Sequence, residues 1–197
     1  MQITFYTDCE AAEFSVKSNE IFPPCPEKCP FKDCSMPVKL KKHGYYKRFF
    51  ISKKFFGVLY IRRYICPICG RTVSFLPYFC ISYFQYSALE ILSILYELYH
   101  GGISLEKLVK KAKEGLPFIE RRHINFYRRR IIRNRKLIQY VLNLMSPEFI
   151  FTGTIPENQA WVKKFLEIVS IIHTTAFLVD FSKLTGKSFM TYQNVTV

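Results

Sequence analysis

Seven cysteines occur in this 197-residue sequence, and most of them are spaced as metal ligands. The sharpest signal is Cys66-Pro-Ile-Cys69-Gly70, in which two thiolates can reach one tetrahedral ion and the glycine permits the turn between them. This knuckle supplies two of the four ligands that a structural site needs. The other pair must come from residues 25–34, which contain Cys25, Cys29 and Cys34.

Cys29 and Cys34 are the expected second pair, because a turn of four residues beginning with proline separates them. The chain also enters a basic, aromatic run directly after Cys34. Cys25 with Cys29 is an alternative pair, since three intervening residues are also typical of zinc ligands. Cysteines without any metal are a further alternative. The sequence predicts one structural zinc ion bound by Cys29, Cys34, Cys66 and Cys69, with Cys25 as the alternative ligand.

Two predicted strands lie between the cysteine pairs and would position them. Residues 45–52 and 58–65 alternate apolar and polar side chains, and residues 53–57 join them as a short loop ending in glycine. Two strands between two cysteine pairs are typical of a zinc ribbon. Such a module has little core of its own, so its order should depend on the metal.

Positive charge is concentrated in two segments of the chain. Lysine and arginine total 29 against 15 acidic residues, which makes the formal net charge +14. Residues 34–89 contain ten basic residues and no acidic one, and residues 121–147 contain eight and none. A positive electrostatic field that no acidic residues offset attracts polyanions. Alternatively, runs of basic residues can simply be faces exposed to solvent. Nucleic acid is therefore the expected partner.

Helical periodicity begins after the ribbon. Ser87 and Glu90 form a capping-box pattern before a helix over residues 87–99, and Gly101-Gly102 ends it. Ser104 caps a short second helix that ends at Gly115. Pro117 marks the expected start of a third, arginine-rich helix that continues past residue 138. A short helix, a tight turn and an arginine-rich helix match a helix-turn-helix arrangement.

Ten side chains are candidates for DNA contact. In helix-turn-helix geometry the start of the last helix enters the major groove, where arginine pairs with guanine and asparagine with adenine. The expected base contacts are Arg121, Arg122 and Asn125. The expected phosphate contacts are Arg128, Arg129 and Arg133 on the helix and Lys47, Arg48, Arg62 and Arg63 on the strands. A helix that only solubilises the protein, or that binds RNA, is the alternative.

The predicted fold class is α+β, with a small N-terminal zinc β-ribbon followed by a mainly helical domain. We divide the chain into an N-terminal segment (1–24), the zinc ribbon (25–83), the helix-turn-helix region (84–145) and a C-terminal helical segment with a tail (146–197). The apolar stripe after Pro156 should close the core, and a dimer or partner interface, including contact with a transposase, is the alternative. Residues 187–197 read as an extended tail.

No membrane segment or catalytic pattern is expected. The most apolar stretch, residues 168–179, is shorter than the roughly 20 residues of a bilayer crossing, and the N-terminus lacks a basic secretory pattern. A cytoplasmic protein is therefore expected. Metal-dependent DNA strand transfer needs gathered carboxylates, and the chain has three aspartates, Asp8, Asp33 and Asp180, which are widely separated. We therefore expect a protein that is not an enzyme.

Residues 41–48 (KKHGYYKR) and 61–74 (IRRYICPICGRTVS) carry a family resemblance. The chain resembles, over about residues 25–140, the zinc-ribbon and helix-turn-helix front end of bacterial transposases and their small stand-alone relatives of the domain-of-unknown-function type. The resemblance implies DNA binding in a mobile-element setting. It also matches Cys29, Cys34, Cys66 and Cys69 to the family's ligand positions, although the spacing of the first pair departs from the usual two-residue knuckle. The catalytic domain that follows in a full transposase is not expected here.

The leading functional hypothesis is a non-catalytic, zinc-stabilised protein that binds double-stranded DNA, as an accessory or regulatory factor of a transposable element. One alternative is an RNA-binding zinc-ribbon protein. A second alternative is the DNA-binding part of a split or degenerate transposase that acts with a catalytic partner.

Overall fold

A computed structural model describes residues 1–147 and 158–191, and its architecture is α+β. Four strands form one mixed sheet in the order β1-β4-β3-β2. β1 is parallel to β4, and the other neighbours are antiparallel. The strands are β1 (Gln2–Phe5), β2 (Lys41–Ile51), β3 (Phe56–Ile65) and β4 (Thr72–Pro77).

The β2–β3 hairpin contains the two predicted strands, each extended at its start. Alternation along the hairpin gives it two unlike faces. The inner face buries Phe50, Leu59 and Ile61, which pack against Phe14 of helix α1 (Ala11–Ile21). The outer face carries lysine and partly exposed aromatic side chains. This two-sided character follows from the period of two residues in a strand.

Two further strands, which were not predicted, extend the sheet beyond β3. β4 begins three residues after Cys69 and pairs with β3, with Thr72 opposite Ile65. β1 then pairs with β4, with Ile3 opposite Phe75. The first residues of the chain therefore belong to the same sheet as the hairpin, and this region is larger than a minimal ribbon.

Six described helices follow the sheet. α2 and α3 begin where predicted, because the hydroxyls of Ser87 and Ser104 accept the N–H of Glu90 and Lys107. The Glu90 carboxylate does not complete the expected capping box and instead accepts the backbone N–H of Lys53. The helices are α2 (Ala88–His100), α3 (Leu105–Lys113), α4 (Arg121–Arg133), α5 (Arg135–Met145), α6 (Asn158–Ile171) and α7 (Thr174–Thr185).

The prediction of one long third helix from Pro117 is wrong about where the helix starts and about its being continuous. It begins at Arg121 rather than Pro117, because the Glu120 side chain caps it and the Glu120 N–H donates to Nδ1 of His123 at 3.1 Å. It also ends at Arg133, and a second helix begins at Arg135. Asn134 marks the break, with its buried amide donating to the carbonyl oxygens of residues 189 and 191 at 2.8 and 3.0 Å.

The C-terminal helices close the helical core, as expected from their apolar stripe. Trp161 and Phe165 stack with ring centroids 5.5 Å apart, and Phe177 meets Phe165 edge to face. The reading of residues 187–197 as an extended tail is wrong for its first part, since Phe189 and Met190 are fully buried in this core. Residues 192–197 lie outside the described ranges.

Among the described helices, none is by itself both long and apolar enough to cross a membrane. α6 and α7 reach that length and composition only when taken together, with a bend of 101° between them. Their large apolar side chains, including Trp161, Phe165 and Phe177, are buried in the helical core.

Candidate metal centre and nucleic-acid interface

Two loops bring four cysteines to one end of the sheet. Cys66 follows β3 directly, and its carbonyl accepts the N–H of Gly70 at 3.0 Å, which folds the chain back into β4. Gly70 has φ of +68°, a conformation that favours glycine. Cys29 and Cys34 lie in the loop before β2, where the N–H of Cys34 donates to the carbonyl of Phe31.

The four sulfur atoms have the spacing of a tetrahedral metal site. The ligand atoms of Cys29, Cys34, Cys66 and Cys69 all lie within 4.8 Å of one another. Sγ of Cys29 is 3.8 Å from Sγ of Cys69, and Sγ of Cys34 is 3.9 Å from Sγ of Cys66. Four sulfurs placed about 2.3 Å from a central zinc would be about 3.8 Å apart. The cluster could hold one metal ion, as predicted.

Cys25, the alternative ligand, is outside the cluster. Its thiol donates to the carbonyl oxygen of Leu40 at 2.8 Å. Cys25 therefore helps to fix the start of β2 rather than joining the four other thiols. Its half-buried position also raises the pKa of its thiol.

Arg71 joins the two cysteine loops and was not singled out in the sequence. Its Nε donates to Sγ of Cys69 at 3.5 Å, and its terminal nitrogen pairs with Asp33 at 2.7 Å. The guanidinium also stacks over the ring of Phe31, 4.0 Å from its centroid. One side chain of the β4 loop thus contacts two residues of the loop that carries Cys29 and Cys34. The available signal was its place directly after the Cys66–Cys69 knuckle.

The electrostatics of the thiols differ within the cluster. Hydrogen bonds from Arg71 lower the pKa of the Cys69 thiol to about 6, whereas burial raises the pKa of Cys29 to about 12. Arg71 also holds the pKa of the Asp33 carboxyl below its usual value. Cys69 is thus the first of these two thiols to become a thiolate, the form that binds metal.

The DNA contacts predicted on strands β2 and β3 differ in their exposure. Lys47 is exposed on the outer face of β2. Arg62 and Arg63 are half-buried over tyrosine rings, 4.7 Å from the centroid of Tyr45 and 6.0 Å from that of Tyr46. These three remain on the surface of the hairpin.

Arg48 does not fit the predicted phosphate contact. Its side chain lies on the inner face of β2 and is buried, with the guanidinium donating to the carbonyl oxygens of Ile81 and Phe84. The alternation of basic and aromatic residues suggested an exposed arginine at this position. The chain uses it instead to hold the segment between β4 and α2 against the sheet.

The predicted base contacts lie at the exposed start of α4 and have partners within the chain. Arg121 pairs with Glu106 of α3 at 3.2 Å, and Arg122 pairs with Glu120 at 2.7 Å. Both arginine side chains are more than two-thirds exposed. Asn125 is half-buried, and its carbonyl oxygen accepts from Arg128 at 3.5 Å.

The phosphate contacts predicted on α4 differ in their exposure. Arg129 and Arg133 are exposed. Arg128 is half-buried against α2, where its Nε donates to the hydroxyl of Tyr99 at 3.2 Å and its guanidinium lies over that ring. Arg128 therefore links α4 to α2 and is less accessible than Arg129.

Comparison of the whole chain with protein-family models, with curated proteins and with solved structures finds no match in any of the three.

Proposed function

We propose that this protein is a zinc-stabilised protein that binds double-stranded DNA and does not itself catalyse a reaction. The exposed arginine face of α4 is the observation that carries this proposal. Arg122, Arg129 and Arg133 are spaced by seven and four residues and so lie along one face of the helix. Ile124, Tyr127 and Ile131 face the core on the opposite side.

The packing around α4 supports a helix-turn-helix assignment. α3 and α4 are joined by residues 114–120, and both pack against α2. Leu116 and Ile119 are buried in this connection, which anchors the turn, while the start of α4 remains exposed. In helix-turn-helix proteins this helix end enters the major groove.

The carboxylates near Arg121 and Arg122 do not prevent this use. Both ion pairs are exposed, and pairs of this kind contribute little to stability. A DNA phosphate or base edge can therefore replace Glu106 or Glu120 at small cost. Arg129 and Arg133 provide further positive charge about two and three turns beyond Arg122 on the same face.

Zinc is the metal that the donor set favours. Four cysteine sulfurs form a closed, sulfur-rich tetrahedral site, the usual structural zinc environment. Cys29, Cys34, Cys66 and Cys69 would hold the ion and leave no position open for substrate. The ion would join the loop before β2 to the β3–β4 turn and so hold the sheet together at that end.

Binding of labelled duplex DNA at several salt concentrations tests the proposal. If six to eight phosphates are neutralised, the log–log slope of affinity against salt should be about −5 to −7. Arg129→Gln should weaken all duplexes alike and reduce the slope by about one. Lys183→Gln, the same charge change on α7, is the matched control and should leave both unchanged.

Sequence preference provides a second test, applied to duplexes selected from random oligonucleotides. Arg122→Gln should relax the preference by about 1–3 kcal/mol without a uniform loss of affinity. Equal losses on every duplex would refute the groove assignment. Stronger binding to structured RNA of equal length would favour the RNA-binding alternative.

A role in transposition rests on the sequence resemblance. The protein would then act as an accessory or regulatory factor, or as the DNA-binding part of a split transposase. Selection of terminal repeats of a mobile element from genomic fragments would support this role. Selection of unrelated sites would remove it while leaving DNA binding intact.

A further inference from the structure

The outer face of the β2–β3 hairpin carries aromatic side chains that a folded protein ordinarily buries. Tyr60 stands opposite Lys47, and Val58 stands opposite Phe49, so these four share one face. Phe56 lies at the start of β3 on the same face. The exposed fractions are 36% for Phe49, 53% for Phe56 and 43% for Tyr60. We call Phe49, Phe56 and Tyr60, with Lys47, the aromatic face.

The aromatic face continues onto the turn before α4. The rings of Phe49 and Phe56 meet edge to face with centroids 5.0 Å apart, and Phe118 lies 6.4 Å from Phe56. Phe118 has φ of +70°, which bulky residues rarely adopt, and its side chain is 67% exposed. The three rings thus support one another while each keeps a surface open to solvent.

A cleft adjoins this face between the hairpin loop and residues 115–117. It has a volume of about 350 Å³, and Phe56 and Pro117 form part of its wall. Lys53 and Lys54 line it as well. Lys53 is 3.9 Å from Glu90 and Lys54 pairs with Glu10, but both lysine side chains are more than 60% exposed. The aromatic face and its cleft therefore carry three exposed lysines, Lys47, Lys53 and Lys54, and the last two keep exposed side chains in ion pairs that a phosphate can replace.

This combination favours one kind of occupant. Lysine is depleted in protein–protein interfaces, so a purely apolar protein partner fits this surface poorly. Proteins that bind single strands without sequence preference combine a positive groove with aromatic rings on which successive bases stack. Duplex DNA does not offer its base faces, because they are stacked within the helix. The aromatic face matches the chemistry of an unpaired strand.

We propose that the aromatic face binds single-stranded DNA, with bases stacking on Phe49, Phe56 and Tyr60 and phosphates near Lys47 and Lys53. The site is separate from the arginine face of α4, and only the choice of DNA over RNA rests on the proposed function. Single strands would then bind beside the turn that precedes the duplex-binding helix.

Binding of a labelled 12-nucleotide oligo-dT, which forms no duplex, tests this proposal. The protein is the full chain with zinc bound. Phe56→Ala should weaken binding about 5- to 150-fold, because one stacked base is lost. Phe56→Trp should retain binding, whereas Phe56→Leu should not. Tyr140→Ala removes a 60% exposed aromatic side chain from α5 and serves as the matched control, expected to be neutral.

The two proposed sites can fail independently. Phe56→Ala should leave duplex affinity unchanged, and Arg129→Gln should leave oligo-dT affinity nearly unchanged. If duplex binding is absent and oligo-dT binding persists, the duplex proposal fails alone. Phe49→Ala and Tyr60→Ala repeat the test at two other positions. A variant that has lost zinc or helix content is misfolded and is excluded, and the remaining variants decide the outcome.

Four outcomes would overturn the proposal. The first is no measurable oligo-dT binding by the wild-type chain, and the second is equal weakening by Tyr140→Ala. The third is tighter binding of oligo-U than of oligo-dT, which would assign the face to RNA. The fourth is a dimer in analytical ultracentrifugation that Phe56→Ala dissociates, since a second copy of the chain would then cover the face.

Discussion

The sheet region (β1–β4 with α1) and the helical region (α2–α7) bury apolar side chains in different ways. Among the described residues, the helical region is centred on one cluster of 29 buried residues, which also includes Ile51 of β2 and three residues of the segment before α2. The sheet region divides its core into two clusters of seven and six. Two of the six residues in the smaller cluster are Cys29 and Cys66.

This difference indicates which region would depend on a bound metal ion. The smaller cluster, which also includes Leu40, Tyr64, Val73 and Phe75, joins a loop to two strands through few apolar contacts. So small a core cannot offset the conformational entropy of ordering the loop. A metal ion bound by the four thiolates would supply the missing stabilisation. The helical region already has a core of ordinary size and should fold without it.

The largest effect should come from Cys66→Ser, which removes a buried ligand. Structural zinc contributes on the order of 10–16 kcal/mol to small zinc domains, so this variant should lose the ion and the order of the cysteine loops. The helical region should keep its structure. Metal analysis should show less than one equivalent of zinc, and hydrogen exchange should show protection lost at the cysteine loops and the paired ends of β3 and β4.

Cys25→Ser is the matched control, because this thiol donates to the Leu40 carbonyl and is not one of the four clustered thiols. It should keep one equivalent of zinc and normal protection. A Cys66→Ser protein with a full equivalent of zinc, or one in which α2–α7 also unfold, would break the distinction between the two regions.

Phe177→Ala should have a smaller effect, confined to the helical region. This fully buried ring contacts the rings of Phe165, Phe181 and Phe189, so its removal should lower the free energy of unfolding by about 3–5 kcal/mol. Urea denaturation followed by circular dichroism measures the change. The zinc content should stay at one equivalent.

Leu184→Ala on the same helix is the control, because this side chain is 54% exposed. Its effect should stay within about 0.5 kcal/mol. If Phe177→Ala released zinc before the helices unfolded, the two regions would share one cooperative unit.

The elements that were predictable from sequence are those with local signals. The Cys66–Cys69 knuckle, the hydroxyl caps of Ser87 and Ser104, and the alternation of the hairpin each lie within a few residues of the structure they specify. The choice of Cys34 over Cys25 also followed from local turn chemistry. The cluster of four cysteines and the starts of α2 and α3 were therefore predictable from sequence.

What was missed depends on residues distant in the chain. β1 exists because β4 pairs with it, more than 70 residues later. The helix breaks at Asn134 where its amide meets carbonyls of residues 189 and 191. Arg48 is buried because loop carbonyls of Ile81 and Phe84 accept its guanidinium. No pattern around these positions indicates such partners, since each pairing is set by tertiary packing.

Of Cys66→Ser, Phe177→Ala and Arg71→Gln, the last should have the smallest effect. Arg71 contacts Cys69, Asp33 and Phe31, so it pre-orients both cysteine loops without being a ligand. Loss of such a group typically lowers metal affinity 10- to 100-fold, about 1.4–2.7 kcal/mol. Competition with a chelator measures it, and Lys32→Gln, an exposed lysine beside Asp33, is the charge-matched control.

Arg71→Lys separates charge from geometry in the same assay. Lysine keeps the positive charge but lacks the planar fork that reaches a thiolate and a carboxylate together. If orientation of the loops is the role of Arg71, the lysine variant should lose nearly as much affinity as the glutamine variant. Full affinity in Arg71→Lys would mean that charge alone balances the thiolates. The arrangement of the cysteine loops would then depend on the metal and on a positive charge at position 71, whereas the helical core requires neither.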